Sequence, residues 1–216
     1  MSFLQRPQNV NGTGTDWTQI GHRGHAVQFY EHDDALAELL AAYIGTALVK
    51  GDAAIVIATR KHRDDLRSSL AERGLDLKAP ESQGRYHSFD AAAMLADTST
   101  PAGWPDRDRF RKLIGDSLTA AIRATGYSPR IAVFGEMAAL LCAQGQFAAA
   151  IHLEELWNEL ARDYQFSLCC AYPMSLFKTD DAAAARFMKV CAQHSHVFPA
   201  ERRSASSSRL RLGSVG

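Results

Sequence analysis

The sequence predicts a three-layer α/β fold: a mainly parallel, five-stranded sheet with helices on both faces. Three observations predict it. Short apolar runs alternate with longer helical patterns between residues 25 and 194. The clearest run, Ala53-Ala-Ile-Val-Ile-Ala58, is continuous rather than alternating, the pattern of a strand buried on both faces. Finally, 46% of the 216 residues are hydrophobic, enough for one substantial core in a chain of single-domain length.

The elements follow in order. His25-Ala-Val-Gln-Phe-Tyr30 reads as the first strand. A helix comes next, because Leu36, Leu39, Leu40, Tyr43, Ile44, Ala47 and Leu48 share one helical face. Asp33 or Asp34 can cap its start and Gly51 can close its end. Residues 53–58 form the second strand, and a more polar helix over 60–73 stops at Gly74. Arg85-Tyr-His-Ser-Phe89 is a weaker third strand, with Asp90 placed to cap a short Ala-rich helix. The Pro/Gly segment 98–105 is a loop. Phe110, Leu113, Ile114, Leu118, Ala121 and Ile122 mark another amphipathic helix, ended by Gly126. Residues 131–134 are the fourth strand, and Gly135 allows a tight turn into a helix that breaks near Gly145. The next helix covers 147–164; Leu153, Leu156, Trp157 and Leu160 face the core, with Glu154, Glu155 and Asn158 on the other side. Residues 166–171 are the fifth strand and 181–194 the last helix. The domain therefore spans 24–198, between a flexible arm (1–23) and a flexible Ser/Arg-rich tail (199–216).

Composition excludes some functions. Lys+Arg and Asp+Glu are both 24, so the net charge is zero, and a nucleic-acid binder needs a basic surface. Cys142, Cys169, Cys170 and Cys191 form no C-x-x-C and read as free, buried thiols of a reducing compartment. Cys169 and Cys170, adjacent in a strand, point to opposite faces. No stretch approaches the roughly 18–20 apolar residues of a membrane span, and the N-terminus lacks an apolar signal core. A cytoplasmic protein without membrane contact is expected.

In a parallel sheet the carboxyl ends of the strands share one rim, where ligands bind. Arg130-Ile-Ala-Val-Phe-Gly135-Glu136 delivers a carboxylate there, as the acidic strand of a P-loop ATPase does, but no G-x-x-x-x-G-K-[ST] exists. The loop after the first strand carries Glu31, Asp33 and Asp34 where phosphate-cradling glycines and a lysine would stand. Tyr30, Glu31, His32, Arg60, Glu136 and Tyr172 all fall at this edge and are the candidate ligand-binding residues, with Phe89 a further aromatic. If the first and fourth strands are neighbours, Glu31, His32 and Glu136 share one place. Glu136→Ala is expected to harm signalling more than stability. The histidines show no metal-ligand spacing, and no catalytic set is convincing; Gly115-Asp-Ser117 lies inside a helical pattern. No metal, cofactor or enzymatic activity is expected.

Four segments, His25-Ala-Val-Gln-Phe-Tyr30, Phe134-Gly-Glu-Met137, Leu153-Glu-Glu-Leu-Trp-Asn158 and Cys170-Ala-Tyr-Pro173, occur in an order and spacing that resembles the MEDS domain. The resemblance covers roughly residues 22–195. It implies a RecA/KaiC-like fold that has lost its P-loop, and a sensory module for small molecules, often joined to histidine-kinase or DNA-binding outputs. A chain of 216 residues leaves no room for such an output, so it is expected to act in trans. The expected partners are an unidentified small molecule, a signalling protein such as a histidine kinase, and a second copy of the chain. The alternatives are an ATPase-like nucleotide switch and a pure interaction module without ligand.

Overall fold

The computed structural model describes residues 20–200 except 22, 127–129 and 178–181. The chain runs β1 (His25–Tyr30), α1 (Asp33–Val49), β2 (Ala53–Ala58), α2 (Arg60–Glu72), α3 (Lys78–Ser82), β3 (Tyr86–Asp90), α4 (Ala91–Asp97), α5 (Arg107–Thr125), β4 (Ile131–Gly135), α6 (Met137–Ala143), α7 (Phe147–Asp163), β5 (Ser167–Pro173), a 3₁₀ turn (Met174–Phe177), α8 (Ala183–Ala192) and β6 (His196–Phe198). The strands form one sheet in the order β3-β2-β4-β5-β1-β6, and every pairing is parallel.

The sheet separates two apolar layers. Side chains of one parity, including Ala26, Tyr30, Val56 and Phe134, pack with α1, α2 and the residues around α3. Those of the other parity, including Phe29, Ile55, Val133, Cys170 and Tyr172, pack with α4 to α8. The handedness of crossovers explains the split. From β1 the chain moves through α1 to β2, then through α2 and α3 to β3, always towards one edge. From β3 it returns through α4 and α5 to β4, then to β5 and β6. Right-handed connections running in opposite directions must lie on opposite faces.

Local signals place most boundaries. Asp90 accepts the Ala92 and Ala93 N–H groups at 3.1 Å and starts α4. Gly51 takes φ 86° after α1, where its N–H reaches Leu48 O at 3.1 Å. Gly135 does not need glycine's freedom: a Cβ there would meet its neighbours at ordinary distances of 3.9–4.0 Å. Gly24 needs its missing side chain instead, because a Cβ would lie 1.8 Å from Ile20 O. Ile20 itself is buried against the α1 layer, so packing begins ahead of residue 24.

The sheet has six strands rather than the expected five. His196–Phe198 is three residues long and pairs only with β1. So short a run carries no periodicity. Residues 1–19 and 201–216, which hold most of the arm and the tail, lie outside the described residues.

Candidate functional site

Three of the strands that end on this rim lead into helices whose starts meet there. β1 leads through Glu31 and His32 to α1, β2 through Thr59 to α2, and β4 through Glu136 to α6. His32 holds the N-cap position of α1 without a side-chain bond to the helix. Neither Asp33 nor Asp34 is the cap. Asp33 is instead drawn to α2, where it pairs with Lys61 Nζ at 3.1 Å and His62 Nε2 at 3.4 Å.

His62 is the centre of this site. Its Nδ1 donates to Glu136 Oε1, and the other oxygen of Glu136 accepts the Thr59 N–H at 2.8 Å. The Tyr30 ring stands edge-on to the imidazole, 6.0 Å between centroids. Glu136 is only 3% exposed, and His62 and Tyr30 are also buried. Burial alone would depress the His62 pKa, but the hydrogen bonds and charges of Glu136 and Asp33 outweigh it, and the pKa is raised. Burial likewise pushes Asp33 up, yet its bonds to Lys61 and His62 bring it below the usual value. Burial, with the Glu136 and Asp33 charges, raises the Tyr30 hydroxyl, so it stays protonated.

The six residues singled out in the sequence do not form one cluster. Tyr30 and Glu136 meet through His62. Glu31 and His32 are exposed on the same rim, and so is Arg60, the first residue of α2. β1 and β4 are not neighbours, because β5 lies between them. At about 4.8 Å per strand they stand roughly 10 Å apart, and His62 from α2 spans that gap. Phe89 ends up on an edge strand four positions from β1. Tyr172 is fully buried on the opposite face of the sheet, where its hydroxyl donates to Glu154. His62 itself had no sequence signal beyond its place three residues after the Thr59 cap.

The Tyr172 hydroxyl belongs to a second polar group. His25 on β1, Cys170 on β5, Glu154 on α7 and His194 after α8 place their ligand atoms within 4.8 Å of one another, all buried. Glu154 was expected on the outer side of α7, yet it is wholly buried. The helix packs over a wider arc than one stripe, because α5, α6 and α8 all contact it and Cys170 and Tyr172 of β5 reach Glu154. Burial pushes the Cys170 thiol well up, with the Glu154 charge adding to it. Burial and the nearby His25 charge hold His194 at about 3, so its imidazole is neutral near pH 7.

No helix among the described residues is long and apolar enough to cross a membrane. A search of curated protein sequences gives no match. Among solved structures, a KaiC-like protein from the hyperthermophilic archaeon Pyrococcus horikoshii OT3 is similar at 14% identity, with a TM-score of 0.45. The alignment covers 70% of this chain and 62% of that one, less than two thirds of its length. A family profile described as the methanogen/methylotroph, DcmR sensory domain (MEDS) matches residues 24–188, from the start of β1 into α8. With the greater part of its length inside that match, the chain belongs to the MEDS family of sensory domains.

Proposed function

We propose that this chain is a non-enzymatic sensory module that binds a small, partly apolar molecule at the carboxyl rim of the sheet. Tyr30, Glu31, His32, Arg60 and Glu136 are its contact residues, joined by His62. The bound form regulates a signalling protein, such as a histidine kinase, or a second copy of the chain. The observation that carries this reading is the Glu136–His62–Asp33 relay, buried at Glu136 and His62 and open to solvent at Asp33, which ties the starts of α6, α2 and α1 together. A ligand group that competes for His62 changes how three helix starts pack. Its differential affinity for the two arrangements then shifts their populations, and the surface formed by these helices reports the shift. Tyr172 is not part of this ligand site, because it faces the other layer.

A triphosphate fits the rim poorly. Glu31, Asp33 and Asp34 cluster after β1 and repel it, and the Glu136 carboxylate already occupies the start of α2. Native mass spectrometry of the gently purified full chain, with and without MgATP, tests the reading in wild type and His62→Gln. The expected result is a reproducible non-nucleotide adduct that falls at least about tenfold in the variant. An adduct that depends on ATP replaces the reading with a nucleotide switch. A bare mass in every condition overturns it in favour of an interaction module without ligand.

A further inference from the structure

We infer that His25, Glu154, Cys170 and His194 form a closed, four-coordinate site for a divalent transition metal ion, with zinc the best fit, in the layer opposite the rim. This goes beyond the sensory reading and does not depend on it.

The first argument is the spacing of the ligand atoms. A tetrahedral ion with bonds of 2.0–2.3 Å separates its ligand atoms by about 3.3–3.8 Å. His25 Nε2 lies 3.3 Å from Glu154 Oε2 and 3.4 Å from Cys170 Sγ, and Cys170 Sγ lies 3.4 Å from the same carboxylate oxygen. These three atoms make one face of such a tetrahedron. His194 Nε2 lies 3.7 Å from the other oxygen of the same carboxylate, Glu154 Oε1, and supplies the fourth ligand atom of the group. No pair in the set exceeds 4.8 Å, so closure around an ion needs a movement of no more than about 1 Å along the widest edge.

The second argument is that His194 Nε2 is a buried polar atom without a hydrogen bond, on a side chain with no exposed surface. Its Nδ1 is 2.7 Å from Val190 O and donates to it, which leaves the Nε2 lone pair aimed at the cluster. His25 is arranged in the same way. Its Nδ1 lies 2.9 Å from Asn158 Oδ1, and the Asn158 amide is oriented by its own bond to Gln193 O at 3.0 Å. Both imidazoles are therefore set as Nε2 ligands by partners on their other nitrogen, the outer-shell arrangement of metal-binding histidines. Tyr172 fixes the Glu154 carboxylate in turn.

Charge supports the assignment. A divalent ion with one thiolate and one carboxylate is neutral as a unit, which suits a site buried from solvent. On binding, the S–H bond of Cys170 breaks, the sulfur lone pair bonds the metal, and the proton leaves to solvent. Two nitrogens, one sulfur and one oxygen in a tetrahedron favour zinc over magnesium or calcium. All four positions are filled by protein, which makes the site structural. It ties α8 and the β6 edge to β1, β5 and α7.

The test is direct titration of the full-length, chelator-treated protein with Zn²⁺ and with Co²⁺ as spectroscopic probe. One equivalent of Co²⁺ should bind, with thiolate-to-cobalt charge transfer and the intense ligand-field bands of a tetrahedral site. Cys170→Ser should abolish the charge-transfer band, and His194→Gln should weaken binding by well over tenfold. Asn158→Ala, a positioning change, should weaken it by about 10–100-fold. Zn²⁺ should raise the melting temperature of wild type more than that of His194→Gln. Absence of stoichiometric binding overturns the inference. So does a wild-type cobalt spectrum without thiolate charge transfer, a result that stands even if the variants fail to fold. Binding unchanged in Cys170→Ser and His194→Gln places the metal elsewhere and also overturns it.

Discussion

Removing the Glu136 carboxylate leaves the buried imidazole of His62 without its principal partner and the Thr59 N–H without its acceptor. Such loss costs more than the bond itself, because the stranded groups stay desolvated. Glu136→Ala should therefore destabilise the fold by about 2–3 kcal/mol in urea denaturation, and a cost near zero would refute the buried pair. An effect confined to signalling is not what a carboxylate 3% exposed should give. The double variant with His62→Ala should cost clearly less than the sum of the two, since both remove the same interaction. The pH dependence has a definite sign. The His62 pKa is raised above 6.5, so its stabilising contribution is complete below that value and is lost as pH rises through the folded-state pKa. Asp33 is lowered below 3.8, so its contribution is present above that value and is lost as pH falls through the lowered one. The relay should be strongest between about pH 4 and 6.5. The melting-temperature gap between wild type and His62→Gln should be widest there and shrink towards alkaline pH. A gap of constant size would rule out the ion pair.

Elements with long apolar faces were legible in the sequence. The α1 stripe from Leu36 to Leu48 is buried as its spacing demands, and Asp90 and Gly51 act where expected. The three elements absent from that reading, Lys78–Ser82, Met174–Phe177 and His196–Phe198, are too short to show a period. Glu154 departs from its sequence pattern because a single apolar stripe does not define the whole buried arc of a helix packed on several sides. Trp157 lies at the centre of that arc, edge-on to Phe110 at 4.9 Å and near Phe166 at 5.9 Å. Trp157→Ala should cost about 3–5 kcal/mol, seen as a lower urea midpoint with an unchanged slope. Gly24→Ala acts differently. The added Cβ would collide with Ile20 O, and the strand cannot yield because Leu168 donates its N–H to Gly24 O at 2.9 Å. Ile20 should be expelled, with the loss limited to its burial, about 1.5–3 kcal/mol. Limited proteolysis should then cut between Ile20 and Gly24 faster in the variant than in wild type; equal rates at that stretch would count against the contact.

At the scale of the molecule, β2, β4, β5 and β1 lie inside the sheet, while β3 and β6 are its edges. Amide exchange should be slowest in β2, β4 and β5, which central helices cover on both faces, and fastest in β6. Equal protection of β6 and β4 would contradict this order. By itself the sequence determined the class of fold, the alternation of strands and helices, the rim where Tyr30, Glu31, His32, Arg60 and Glu136 stand, and, through four short segments, the family. Those features depend on residues close together in the chain, where periodicity, caps and turn residues act. Only the tertiary structure decided that β5 separates β1 from β4, that His62 joins Glu136 across 74 residues, and that His25 meets Cys170 across 145. Strand order is set by crossover direction and by which faces can be buried together. These are long-range terms that no local pattern encodes.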